Sequence, residues 1–348
     1  MANDSAPGRL LTGIAIAALF IFSQITGILC QDSTANEQEF REDYPAASVQ
    51  RYRISRDMDF IYAKPRPFEF FTNGFKDIAR YGKTTFRTVN IPQWTAVLAS
   101  TALLVAIDQP IIDESQRLGK RLHISGDIKN RNITHVFGFP IYVPANTGSA
   151  LYYLGDGFLD VVITASFFGY GLIGSNNRAL ETSSQLAEGL ISVAVVIQTL
   201  KHITGRQSPS SATVPAGMWR PFPNQVEYHK HVSSYDAYPS GHLATAMMVV
   251  TVISENYPEH RYIRPLGYSL MTVLAFQMLN NGVHWASDYP LALAIGYTMG
   301  KIAASRIHRV TRPQRIPGDP ADRKTERVQL YPFFNGREAL GIGIGYAF

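Results

Sequence analysis

The chain has 348 residues, 46% of them hydrophobic and 17% charged, with a formal net charge of +5. That length allows one large domain or two small ones. The lone Cys30 excludes an intramolecular disulfide and any metal site built on several cysteines. The charged fraction falls below the roughly 25% usual for soluble proteins, yet the mean hydropathy is only −0.04, so long lipid-spanning stretches do not dominate. The basic residues are scattered, and nothing favours a nucleic-acid partner.

Residues 10–30 carry no charge after Arg9 and run into Gln31-Asp32-Ser33. This pattern predicts a signal peptide cut near Cys30. An uncleaved anchor has the same appearance, because the run is long enough to span a bilayer. A lipoprotein signal fits less well, since Leu29 is bulky for such a site. Each reading places the rest of the chain in the cell envelope, at or beyond a membrane.

Residues 31–90 are polar and aromatic, with Pro45, Pro65 and Pro67, and are expected to form loops with short helices. Apolar segments follow at 94–107, 150–174, 187–203, 243–256, 265–283 and 289–305, and their lengths favour helices. The expected fold is all-α: a bundle of about six core helices over 91–310. Their uncharged cores straddle the boundary between a buried helix and a membrane span. Segment 265–283 is the best spanning candidate, whereas 189–200 reads equally as core. Residues 311–327 are charged and rich in proline, as a linker is. Strands at 328–334 and 337–348 flank Asn335-Gly336, a two-residue hairpin signal.

Chemistry concentrates in two short motifs. The first is Tyr238-Pro239-Ser240-Gly241-His242. Pro239 restricts the backbone and Gly241 allows a tight turn with close approach to a ligand. Ser240, Gly241 and His242 open a helix, whose first amides suit an anion. Taken alone, Ser240 is also an ordinary helix cap. The second motif is His284-Trp285-Ala286-Ser287-Asp288. If 284–300 is helical, His284 and Asp288 share a face. The carboxylate can then hold one ring nitrogen and leave the other as an oriented nucleophile. An isolated pair of this kind is as easily a surface contact. Lys201 ends the segment before His202-Ile203-Thr204-Gly205-Arg206, where a lysine often just solvates a helix C-terminus. Together, a cation, an amide turn and two histidines are suitable parts for phosphoryl transfer. His229, His231 and His260 lie in polar stretches and are expected at the surface.

At these residues the chain resembles the type 2 phosphatidic acid phosphatases and their vanadium haloperoxidase relatives, over residues 94–305. The family signature is Lys-x6-Arg-Pro, Pro-Ser-Gly-His and Ser-Arg-x5-His-x3-Asp. Lys201 and Pro209 match the first motif in part. Residues 239–242 match the second in full, and His284 and Asp288 match the third. Ser208 and Met278 stand where the family has arginines, and a serine or methionine cannot replace their bidentate grip on phosphate. The resemblance implies His284 as nucleophile, Asp288 as its orienting partner, and His242 as general acid and then base. It implies Lys201, Arg206, Ser240 and Gly241 as the phosphate cradle, with Arg206 or Arg220 reaching into the vacancy at Ser208. It implies no metal or other cofactor. The expected activity is hydrolysis of a lipid or isoprenoid phosphate monoester or pyrophosphate at the envelope membrane, the site facing the periplasm or exterior. A degenerate lipid- or phosphate-binding member and a soluble periplasmic acid phosphatase are the alternatives.

Overall fold

A computed structural model describes residues 49–85, 87–136, 139–155, 157–311, 327–335 and 339–347. The signal or anchor expected at 1–30 lies outside the described residues. Two compact units divide at Val310 and Thr311.

The helical unit begins with an antiparallel pair, β1 (Val49–Arg53) and β2 (Met58–Ala63). Helix α1 (Glu69–Thr85) follows. This corrects the expectation of loops with short helices over 31–90. The physical reason is long-range. β2 is the central strand of a three-stranded sheet whose other edge is β5 (His308–Thr311), from the far end of the unit. Phe60, Ile61 and Tyr62 are all buried, so the polar–apolar alternation of a surface strand is missing.

Helix α2 (Ile91–Arg121) extends well beyond the apolar run at 94–107, with Pro110 inside it. A second antiparallel pair follows, β3 (Asn130–Val136) with β4 (Phe139–Pro144). The segment at 150–174 is broken into α3 (Thr147–Tyr152) and α4 (Gly157–Ile173). Next come α5 (Asn177–Thr204), a short α6 (Gln225–Lys230), α7 (Gly241–Asn256), α8 (Ile263–Asn280) and α9 (Tyr289–Ala304). The expected mostly helical architecture is present.

The core gathers Leu186, Val193 and Ile197 of α5, Leu243, Met247 and Met248 of α7, Leu274 and Met278 of α8, and Ile295 and Met299 of α9. α7 and α9 cross closely because Gly296 and Gly300 lack side chains. A Cβ at Gly296 would overlap the Ala244 carbonyl, and one at Gly300 would press on Thr251. That contact brings the N-terminus of α7 beside the turn that leads into α9.

By length and composition, 88–121 and 177–204 are long and apolar enough to cross a membrane, and α3–α4 form a third candidate as a bent pair. Segment 265–283, the expected best candidate, is not among them, while 189–200 lies within one. Arg264 and the polar C-terminal end dilute α8, whereas α5 gains length that its central apolar run does not reveal. Leu98, Leu103, Phe158, Val161, Phe168 and Ile173 are exposed on α2 and α4, an apolar surface of the kind that lipid covers.

The second unit contains β6 (Arg327–Asn335) and β7 (Ala339–Ala347), paired antiparallel with Asn335 opposite Ala339. The hairpin is present, but Asn335 is the last residue of β6 rather than part of a two-residue turn. The register, set by pairing along both strands, prevails over the local dipeptide signal.

Candidate active site

α5 ends at Gly205, which adopts a left-handed conformation with φ of 56°. A Cβ there would overlap the Arg220 carbonyl, so glycine is what the turn requires. This turn places Lys201 on the last helical turn and sends Arg206 into the interior. Ser240 caps α7, its Oγ accepting from the Leu243 amide at 3.4 Å. Its own amide donates to the Asp288 carbonyl at 3.1 Å, which ties the two motifs together. The Gly241 and His242 amides begin the helix beside the Lys201 amine. A Cβ on Gly241 would lie 3.9 Å from Lys201 Nζ.

His284 is not helical. Ala286–Asp288 form a single 3-10 turn, and α9 starts at Tyr289 with Pro290 in its first turn. Same-face helical spacing is therefore not what brings His284 to Asp288. The short turn folds the carboxylate back. Asp288 Oδ2 accepts from the Trp285 amide at 2.8 Å and lies 3.4 Å from His284 Nδ1.

The closer partner of His284 Nδ1 is the Ala237 carbonyl, at 2.7 Å. A carbonyl only accepts, so Nδ1 carries the proton. Nε2 is then the bare nitrogen of the neutral ring. It is buried with no hydrogen-bond partner among the described residues. Burial, helped by Lys201 and Arg206, pushes this imidazole down to about 3, against Asp236 and the Ala237 carbonyl. The ring is neutral at physiological pH. His242 faces it, with ring centroids 5.6 Å apart and planes at 74°. His242 Nε2 lies 2.8 Å from the Tyr152 hydroxyl, at the end of α3.

Arg206 lies elsewhere than the phosphate cradle expected for it. Its guanidinium is fully buried. One nitrogen donates to Asp288 Oδ1 at 2.5 Å and to Ser287 Oγ at 2.6 Å. The other donates to Asp108 Oδ2 at 2.7 Å and to the Ala216 carbonyl at 2.9 Å. Trp219 and Trp285 flank it at 4.7 and 5.4 Å. Asp108, on α2, also accepts from the Ser287 amide at 3.0 Å. Arg206 thus holds Oδ1 of Asp288, whereas Oδ2 is the oxygen that lies toward His284. Burial pushes the Asp288 carboxyl up to about 6, against the pull of Arg206 and the Trp285 amide.

Lys201 Nζ is 3.4 Å from Asp236 Oδ2. Arg220 lies over the Tyr235 ring at 5.5 Å. Met278 is fully buried, its sulfur 3.9 Å from Ser240 Oγ. The Ser208 amide donates to the Ser233 carbonyl at 2.8 Å. Gln277 and Asn280 hold the loop after α2, through the carbonyls of Ser125 and Ile124. Trp285 lines the interior, donating to the Gln207 carbonyl at 2.8 Å.

Sequence reasoning missed Ala237, Tyr152 and Asp108. Ala237 acts through its backbone and carries no side-chain signal. Tyr152 and Asp108 belong to helices remote from the motifs. An aspartate directly after an apolar run was the one available hint, since such a group needs a partner when buried.

The candidate site thus sets the Ser240–His242 turn and its opening amides beside two imidazoles inside a helical bundle. Residues 183–312, which carry all of these motifs, match the family model of the PAP2 superfamily. A solved structure described as the first transmembrane PAP2 type phosphatidylglycerolphosphate phosphatase from Bacillus subtilis is similar over 68% of this chain and 94% of its own, at 16% identity and a TM-score of 0.33. No match was found among curated proteins.

Proposed function

We propose that the protein is a membrane-associated phosphoric ester hydrolase that acts on a lipid-like phosphate through a phosphohistidine. The observation that carries this reading is the unpartnered, buried Nε2 of His284, held as a lone pair by the Ala237 carbonyl behind the ring. A neutral imidazole fixed in one tautomer is an activated nucleophile.

His284 Nε2 attacks phosphorus, and positive charge develops on its ring. The Ala237 carbonyl and Asp288 stabilise that charge through Nδ1–H. His242, across the gap, protonates the leaving oxygen and then takes a proton from the attacking water. Lys201 and the amides of Gly241 and His242 stabilise the phosphate oxygens, with Ser240 fixing the turn that presents them. Arg206 is a positioning residue that holds Asp288. No step in this scheme requires a metal.

Lipid-like substrates, a lipid or isoprenoid phosphate, are favoured by the placement of the site. Lys201 lies in the last turn of α5, which is long and apolar enough to span a bilayer. The exposed apolar side chains of α2 and α4 offer surface of the kind that lipid tails cover. The leader-like residues 10–30 support placement in the envelope, with the site on the outer side.

The test is phosphate release from a lipid phosphate by purified protein, compared with His284→Ala. Release by the wild type and at least about a 10³-fold loss in the variant are expected. Equal release from both would end the assignment. A non-catalytic, lipid-binding role is the second reading, favoured by Met278 and Ser208 at arginine positions. It predicts binding of the lipid without turnover by either protein.

A further inference from the structure

We infer that the site is built for a singly charged phosphate, so that its preferred substrate is a phosphodiester rather than a dianionic phosphomonoester. This rests on the phosphoryl-transfer reading above and specifies its substrate class.

The argument begins with where the charges lie. Two cations stand near the imidazole pair, and both are committed. Lys201 Nζ lies 3.4 Å from Asp236. Arg206 bridges two carboxylates, Asp108 at 2.7 Å and Asp288 at 2.5 Å. The cluster therefore holds two positive and three negative side chains. Arg206 is fully buried between two tryptophans, so it cannot turn toward a ligand without abandoning both carboxylates. Arg220 is engaged over Tyr235.

Around the turn, the groups that could meet an anion are mostly neutral. Met278 brings a thioether to Ser240. His284 is neutral, and its nucleophilic Nε2 must stay unprotonated to react. What remains for phosphate oxygens is one lysine amine, partly neutralised by Asp236, and the amides opening α7. Such a set suits one negative charge. A second charge, placed beside Asp236 and Asp288 in a buried site, has no further cation among the described residues to offset it and is repelled.

A phosphate monoester carries two charges near neutral pH, because its second ionisation falls at about 6. A diester carries one at every working pH. Its second ester group also adds apolar surface, and beside Ser240 the Met278 thioether presents no charge.

The chemistry balances with water as the only co-reactant. The His284 Nε2 lone pair forms a bond to phosphorus as one P–O ester bond breaks. The leaving alkoxide takes a proton from His242 and departs as an alcohol. Water, losing a proton to His242, attacks phosphorus. The N–P bond breaks and its electron pair returns to Nε2. The products are one alcohol and one phosphomonoester, which carries the extra charge and is expelled by the carboxylates that exclude it as substrate.

The test compares bis(4-nitrophenyl) phosphate with 4-nitrophenyl phosphate, which share a leaving group, on the full chain in detergent with His284→Ala as the blank. At pH 7.5 the expected kcat/KM ratio favours the diester by at least about tenfold, the scale of one lost charge-assisted contact. Met278→Arg is expected to move the ratio toward the monoester. Because that variant introduces a charge into the core, the wild-type ratio alone decides. A wild type that prefers the monoester overturns the inference and leaves the hydrolase reading intact. Hydrolysis of neither ester above the blank overturns both.

Discussion

The carbonyl of Ala237 sits 2.7 Å from His284 Nδ1, closer than the Asp288 carboxylate at 3.4 Å. The backbone, and not the acid, is the first orienter of the ring. Asp288 is held in turn by the Trp285 amide and by Arg206. Its contribution is charge, exerted as the imidazole becomes cationic.

It follows that Asp288→Asn keeps the His284 tautomer and loses charge stabilisation. We expect kcat to fall roughly 10- to 10²-fold, with KM nearly unchanged. Where a carboxylate alone fixes the tautomer, the loss is nearer 10⁴-fold. Steady-state kinetics, with nitrogen NMR of the ring to read the tautomer, separates the two cases. A 10⁴-fold loss accompanied by a tautomer change would show that Ala237 does not hold the ring.

The two buried groups pull stability in opposite directions with pH. His284 falls from 6.5 to about 3 on folding. The unfolded chain therefore binds more protons between those values, and stability drops as pH falls from 6.5 toward 3. Asp288 rises from 3.8 to about 6. Here the folded chain binds more protons, so stability increases as pH falls from 6 toward 3.8. The His284 shift is the larger, and net destabilisation on acidification is expected. In Asp288→Asn the opposing slope is gone, and the loss of Tm between pH 6 and 4 should steepen. Thermal unfolding in detergent across this range checks it, and an unchanged or shallower slope would contradict it.

Arg206 joins Asp108 of α2 to Asp288 of the site in a fully buried ion triad. Removing the cation strands two carboxylates. Arg206→Met should destabilise the fold by about 3–5 kcal/mol. Adding Asp108→Asn should restore part of this, because the two changes share one network. Strictly additive losses in denaturant titrations would show the groups to be independent.

Much of the site was legible in the sequence because its side chains sit within two compact motifs. Pro239 to His242, His284 and Asp288 converge as their spacing suggests, although a 3-10 turn rather than a helix brings the last two together. Arg206 was expected to reach forward to phosphate, and it turns back to a carboxylate instead. Asp108, the residue that draws it there, lies in a helix whose apolar run appeared to end at 107. The β1–β2–β5 sheet was hidden for a similar reason, as its strands come from opposite ends of the unit. Local pattern reports what a segment prefers, but it does not report a partner a hundred residues away.

The most direct test of the central claim is to trap the covalent intermediate. Protein mixed with a 4-nitrophenyl phosphate ester is quenched in alkali within milliseconds, digested and analysed by mass spectrometry. The account predicts a phosphorylated or phosphoester-bearing histidine at His284, absent from His284→Ala, with no label on His242. Turnover that continues with His284 unlabelled, or label on another residue, would contradict it.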